Sequence, residues 1–517
     1  MNRILIFCEK IIAVVGSVIF AILSYYSFFY TSVKQYNGTL LEHHDNLLLH
    51  ILTVFVAVAV SWGLYHIRNK ISARVTQVLA VLLSGLVFFM CIAVSVSAEF
   101  QPIVDQGHVY INAAAIADRE IGHIIEEEYY ILYTFQIGFT ELMALFMKIT
   151  GNTTVRLLEI IQSLFTGMTI YAGFKITRKL FHKTNIEVIY LLLAVLCLPQ
   201  YLYAMFIYGE SLGICAAMYA CLFFLRANRE GLSVQRAVWD YAVVILCMDI
   251  AYLARGAMMI VGIAMLILQA MMCLKRNKYY RILPILMLFP VLIMTGKGMT
   301  ALAEKQAQTD YGDGCPKIMW VAMGLQENKG DSMYPGTYNG FNADTYKAYD
   351  YDAKATAETG KKAIGQIFGE WGRNPGKMLD FFKRKVIYQW NDPVYDAFVS
   401  TYYMENQKEW LDKVYFEEVT HSRVIGCMDH YQFLVYFMLL VYFLSCLPGK
   451  NEIGTLLPVL ILIGGFLFSL IWEGRSRYVY PYVVMALPCV AVGIHYVEQT
   501  IEKVLDKCRN RQGNKSR

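Results

Sequence analysis

Asp105 sits in the stretch PIVDQGHVYINAAAIA, followed closely by Gln106, His108, Tyr110 and Asn112. A carboxylate trailed by hydrogen-bonding side chains suits a general base that takes a proton from a hydroxyl while its neighbours orient that hydroxyl. The same Asp can equally be the N-cap of a helix beginning here. A second acid, Glu210, lies in PQYLYAMFIYGESLG, where Gly209 and Gly213 allow close backbone approach and Pro199 loosens the segment upstream. It reads as a site residue or as an interfacial charge. Arg255 in AYLARGAMM and Arg475 and Arg477 in WEGRSRYVYPY supply cations. Arginine forks match phosphate oxygens in bidentate fashion. At headgroup level they also snorkel to ordinary lipid phosphates, and Glu473 is placed to pair with Arg475 or Arg477 inside its own loop. Asp249 is an intramembrane acid that burial with a partner explains as well as function does.

These groups must be held by a bilayer-spanning scaffold. The chain has 517 residues, 57% of them hydrophobic and 17% charged, with a mean hydropathy of +0.41. Its long apolar runs predict an all-α polytopic membrane protein. Candidate spans are 11–31, 48–66, 77–97, 157–176, 186–207, 211–227, 237–254, 257–274, 281–297, 431–448, 453–472 and 479–497. The first run is longer than a signal-peptide core and lacks a small-residue cleavage site, so it reads as an anchor. The apolar stretch 131–149 carries Gln136, Glu141 and Lys148, which are costly against lipid, and is expected as a juxtamembrane or re-entrant helix.

Orientation follows from basic short loops. RNKISAR (68–74), TRKLFHK (177–183), RANRE (226–230) and LKRNKYYR (274–281) are expected inside. If 131–149 does not cross, all four fall on one side together with the basic tail 501–517. Asp105, Glu210, Arg255, the region 298–430 and EGRSRY then share the other side. The expected organisation is an N-terminal membrane hairpin (1–76), a catalytic transmembrane module (77–297) with its first outer loop at 98–156, a small mostly helical outer domain (298–430), and C-terminal membrane helices (431–500).

Several classes are excluded or disfavoured. No Walker or Rossmann fingerprint is present, and no Cys/His metal spacing occurs among the twelve cysteines. Cys315 and Cys427 alone lie in the long polar region and are candidates for a disulfide. Nucleic-acid binding by the basic tail lacks a basic domain or aromatic platform behind it. A carboxylate and outward arginines at one membrane face instead suit a lipid-linked phosphate donor, the arginines stabilising charge on the departing phosphate.

The order of PIVDQGHVYINAAAIA, LPQYLYAMFIYGES, WVAMGLQENKGDSMYPGTYNGFNADTY, FFKRKVIYQWNDPVY and IWEGRSRYVYPYVVMALP resembles bacterial polytopic glycosyltransferases of the GT-C superfamily, related to protein O-mannosyltransferases. The resemblance covers about 97–497. It implies a polyprenyl-phosphate-sugar donor, inversion at the anomeric carbon, and a saccharide or other envelope acceptor at the outer face of a bacterial cytoplasmic membrane. Asp105 matches the catalytic acid of the first outer loop, and Glu210 matches the second acidic position. Arg255, Arg475 and Arg477 fall where relatives contact the donor phosphate or the outer domain. Gln106, His108, Tyr208 and Glu473 are expected around the acceptor. Many relatives carry a second acid directly after the first, where this chain has Gln106. That departure implies no required metal or other cofactor. A transporter or flippase of lipid-linked saccharides, or a non-catalytic envelope assembly protein, is the alternative reading.

Overall fold

A computed structural model describes residues 2–34, 40–118, 127–328, 334–401, 408–449 and 452–515. Among these, eleven helices are long and apolar enough to cross a bilayer. They are Arg3–Phe29, Leu47–Ile67, Ala73–Ala98, Val155–Phe181, Glu210–Ala227, Val234–Ala254, Gly256–Arg276, Tyr279–Ala307, Glu418–Cys446, Ile453–Ile471 and Tyr480–Cys508. The chain is an all-α polytopic membrane protein. Large apolar side chains such as Phe55, Leu82 and Met294 stay exposed on its flanks, where lipid takes the place of a partner. Helices meet closely at small residues: a Cβ on Gly493 would stand 2.1 Å from the Met438 carbonyl oxygen.

The expected span 186–207 is not one continuous helix. Its helix runs only over Thr184–Leu196, and a short turn follows at Pro199–Tyr203. Proline has no N–H and its ring clashes with the carbonyl four residues back, here that of Val195. The freed carbonyls are recovered by side chains. The Tyr201 hydroxyl donates to Val195 O at 2.7 Å, and Gln200 Nε2 donates to Ala194 O at 2.6 Å. The buried, non-helical stretch 204–209 then carries the chain to Glu210.

Successive crossings reverse direction, so the loops sort to two ends. One end holds the basic loops, tied by Arg178–Glu187 at 2.7 Å and Arg226–Asp240 at 3.1 Å. The other holds the first long loop, the turns at 204–209 and 255, the region after Ala307, and 472–479. The helix Ile137–Thr150 belongs to that second end. Its 14 residues reach about 21 Å, short of a bilayer core of about 30 Å, and Gly138 packs on Leu253 at the end of its helix.

Between Ala307 and Glu418 the chain folds as short helices, among them Ile318–Gly324, Phe341–Ala348, Ala353–Arg373 and Pro375–Trp390. They dock on the bundle through Lys385, whose buried ammonium donates to Leu470 O at 3.0 Å, to Trp472 O at 2.7 Å and to Gly324 O. Cys315 is buried and Cys427 exposed, and both are free thiols. One small sheet interrupts the helical pattern. Strand Tyr30–Lys34 pairs antiparallel with Leu40–His44, Tyr30 opposite His44, and Ser32 N donates to Asn391 O at 3.2 Å.

Candidate active site

Asp105 opens the helix Asp105–Asp118, directly after Val104 at φ +52°. A β-branched residue rarely adopts this left-handed conformation, and such strain clusters at functional sites. Asp105 occupies the first helical turn and not the cap position, and its carboxylate accepts no hydrogen bond from the described residues. It is half-buried. Burial and then its charge hold the Tyr208 phenol well above the usual range; for Tyr129, burial comes first, then the Tyr208 phenol, then Asp105. Both phenols therefore stay protonated, with their oxygens 3.3 Å apart.

Gln106 is committed to the scaffold. Its Oε1 accepts Ile207 N at 3.0 Å and its Nε2 donates to Ser400 O at 3.2 Å. The side chain thus clamps the first loop between the unwound 204–209 stretch and the short helix Ala397–Ser400. The His108 ring stacks on Tyr129 at 4.4 Å.

Glu210 and Arg255 meet as a pair. Gly209, at φ +95°, lies so close to the neighbouring turn that a Cβ there would stand 2.1 Å from Ala254 O. That approach brings Glu210 Oε1 to 2.7 Å from Arg255 Nη1, with Glu210 fully buried. Arg255 also lies over the Tyr478 ring at 4.9 Å.

Arg477 is the opposite case. It is 8% exposed, and its guanidinium faces the rings of Phe206, Tyr208 and Tyr478 at 5.2, 5.2 and 5.3 Å. Its Nε has no hydrogen-bond partner. Among the described residues no carboxylate lies within 4 Å of Arg477 or Arg475, so the pairing of either with Glu473 inside the loop is not made. Glu473 is buried. Burial raises its pKa, Arg475 and Arg477 pull it back down, and Asp105 adds to the rise.

Other residues of the site carry no obvious sequence signal. Asp396 Oδ2 accepts Ser476 N at 3.1 Å and Arg477 N at 3.4 Å, which fixes the arginine loop. Tyr395 and Asp396, at φ +51° and +60°, form the tight turn that presents this carboxylate. Asp392 accepts Val394 N at 3.0 Å and Asp396 N at 2.6 Å; burial, then the Asp396 charge, raises its pKa. From the small sheet, Lys34 donates to the Tyr388 hydroxyl at 3.1 Å. Burial lowers the Lys34 pKa; Asp396 opposes this, while Arg475 and Arg477 lower it further. NDPVYD at 391–396 overlaps the FFKRKVIYQWNDPVY motif, but nothing in its spacing marks which acids turn inward. The chain thus brings Asp105, Glu210, Arg255, Glu473, Arg475 and Arg477 to one end of the bundle, with Gln106 serving the scaffold.

No family model matches the chain, and no curated protein matches it. Among solved structures it is similar to the archaeal oligosaccharyltransferase AglB from Archaeoglobus fulgidus, in complex with an inhibitory peptide and a dolichol-phosphate. The TM-score is 0.42 at 12% identity, over 84% of this chain and 51% of that chain. The chain therefore spans about half the length of that protein.

Proposed function

We propose that this chain is a glycosyltransferase that moves a sugar from a polyprenyl-phosphate donor to a cell-surface glycan or other envelope acceptor. One observation carries the reading. A buried arginine with an unpartnered Nε and no carboxylate within 4 Å sits near a half-buried carboxylate that makes no hydrogen bond to the described residues. A buried cation without a counter-ion is costly, and a phosphate supplies that counter-ion.

In the reaction, Asp105 accepts the proton of the acceptor hydroxyl, and the oxygen attacks the anomeric carbon from the face opposite the phosphate. The bond between that carbon and the phosphate oxygen breaks, and its electron pair passes to the departing polyprenyl phosphate. Arg477 and Arg475 stabilise the growing negative charge, and the configuration inverts. Arg255 faces the same aromatic wall. Fully buried Glu210 holds Arg255 in place and does not reach the substrate. Gln106 keeps Asp105 in register, while Tyr208, His108 and Glu473 border the acceptor. No step calls for a metal. The end carrying Asp105 faces outward from a bacterial cytoplasmic membrane, because the basic loops and tail gather at the other end.

The test is transfer in proteoliposomes supplied with polyprenyl-phosphate sugars and an envelope glycan acceptor. Asp105→Asn keeps its fold and membrane insertion and loses transfer. Full transfer by that variant, or movement of the lipid-linked sugar between leaflets without bond cleavage, sinks the reading.

A further inference from the structure

Apart from this site, four side chains converge where the N-terminal hairpin meets the Glu418–Cys446 helix. His50 lies one turn into Leu47–Ile67, with Asp45 just before that helix, and Asp429 and His430 are adjacent on the long helix. His50 Nε2 stands 3.4 Å from Asp429 Oδ2 and 3.6 Å from Asp45 Oδ2. His430 Nδ1 stands 3.6 Å from Asp429 Oδ2 and 3.0 Å from His50 Nδ1. The side chains of His50, Asp429 and Asp45 are 0%, 3% and 4% exposed.

Hydrogen bonding satisfies only part of this cluster. His50 Nε2, Asp45 Oδ2 and Asp429 Oδ1 are all buried without a hydrogen-bond partner. The other Asp45 oxygen accepts the Thr31 hydroxyl, which fixes the carboxylate so that its free oxygen faces His50. Phe28 and Phe433 close the site with ring centroids 5.7 and 4.7 Å from His50, so the carboxylates lie in an apolar surround. Among the described residues no Lys or Arg is within 4 Å of either aspartate. Two buried carboxylates facing one imidazole are an expensive arrangement. One divalent ion removes that cost.

The spacing fits such an ion. Ligand arms of about 2.1 Å in a tetrahedron put neighbouring donor atoms about 3.4 Å apart. His50 Nε2 to Asp429 Oδ2 (3.4 Å), Asp429 Oδ2 to His430 Nδ1 (3.6 Å) and His50 Nε2 to Asp45 Oδ2 (3.6 Å) are near that value. His50, Asp429 and His430 offer donor atoms that all lie within 4.8 Å of one another. Two imidazoles and two carboxylates suit zinc among the common divalent metals.

We infer that His50, Asp429, His430 and Asp45 bind a zinc ion that staples the N-terminal hairpin to the Glu418–Cys446 helix. The site is structural, shares no residue with the proposed transfer chemistry, and does not depend on that reading. It ties the hairpin to the rest of the bundle, and the strand that carries Thr31 continues from there to Lys34, beside the arginine loop.

The experiment uses the full chain in detergent, purified without a histidine tag and stripped with a chelator. Cobalt titration is expected to develop visible d–d bands saturating at about one equivalent. Zinc is expected to displace the cobalt and raise the melting temperature by several degrees. Asp429→Asn and Asp45→Asn lose both effects, while His43→Ala, at an exposed histidine of the same hairpin, keeps them. If Asp429→Asn does not fold, the wild-type spectrum and Asp45→Asn decide. Absence of d–d bands in stripped wild type, or equal binding by the aspartate variants, overturns the site.

Discussion

Replacing Arg477 and Arg255 by methionine, one at a time, separates a ligand-binding cation from a structural one. Arg255 compensates Glu210 at 2.7 Å, and Glu210 is fully buried. Removing one member of a buried pair leaves the other charge stranded, at a cost of about 3–5 kcal/mol. Arg477 has no such partner: its Nε is unsatisfied, and the neighbouring acids lie beyond 4 Å. An unsatisfied buried donor itself costs about 1–3 kcal/mol. Removing it relieves that cost while giving up longer-range attraction to Glu210 and Asp105, so Arg477→Met is expected to alter stability by only about 1 kcal/mol.

Binding should show the reverse order. A guanidinium bidentate to phosphate makes two charge-assisted hydrogen bonds, each worth about 1.5–3 kcal/mol. Losing them weakens binding of polyprenyl monophosphate by about 100-fold or more. The assay pairs thermal unfolding in detergent with quenching of intrinsic tryptophan fluorescence by the lipid phosphate. Glu210→Gln in the Arg255→Met background should recover most of the lost stability, because it removes the stranded charge. If Arg477→Met unfolds as readily as Arg255→Met and binds the phosphate like wild type, the distinction between the two arginines is wrong.

Gly209→Ala must place a Cβ 2.1 Å from Ala254 O at φ +95°. The shift of about 1 Å needed to relieve it should cut transfer about 100-fold, measured in proteoliposomes; an unchanged rate refutes the positioning role. Lys385→Met strands the Gly324, Leu470 and Trp472 carbonyls and should cost about 3 kcal/mol or more, read by limited proteolysis of the region 308–417. For Glu473, burial raises the folded pKa above the ordinary value, so the folded state holds the proton more tightly than the unfolded state. Its contribution to stability is therefore full at low pH and is lost as pH rises from the usual carboxylate range through the raised value. Glu473→Gln should flatten the stability profile across that window, and an unaltered profile counts against the shift.

Long-range order was legible where one physical force dominates. Apolar run length and basic loops predict eleven of the crossings and the gathering of Asp105, Glu210, Arg255, Arg475 and Arg477 at one end, because lipid leaves a crossing segment few alternatives. The break after Leu196 was half visible: Pro199 marked it, but the rescue of carbonyls by Gln200 and Tyr201 depends on side chains folding back. Gln106 shows the converse limit. Its place beside Asp105 suggested substrate contact, whereas its partners at Ile207 and Ser400 are distant in sequence. The small sheet at 30–44 was hidden because five-residue strands at the end of an apolar run look like continuing helix. Asp392, Asp396 and Lys34 were hidden because their roles come from tertiary packing.

The charged groups at this end divide by what already holds them, and that division bears on mechanism. Asp396 is occupied by two backbone N–H groups, Asp392 by two more, and Glu210 by Arg255. An acid held in this way orients the groups around it and serves as a strut. Asp105 carries no such load. On the cationic side Arg255 is committed, whereas Arg475 and Arg477 have no carboxylate within 4 Å among the described residues. The struts hold the uncommitted groups against their own repulsion: Asp396 pins the backbone of Arg477, and Gln106 pins the loop of Asp105. In the proposed reaction, groups held apart in this way are preorganised for charge that appears only when substrate arrives.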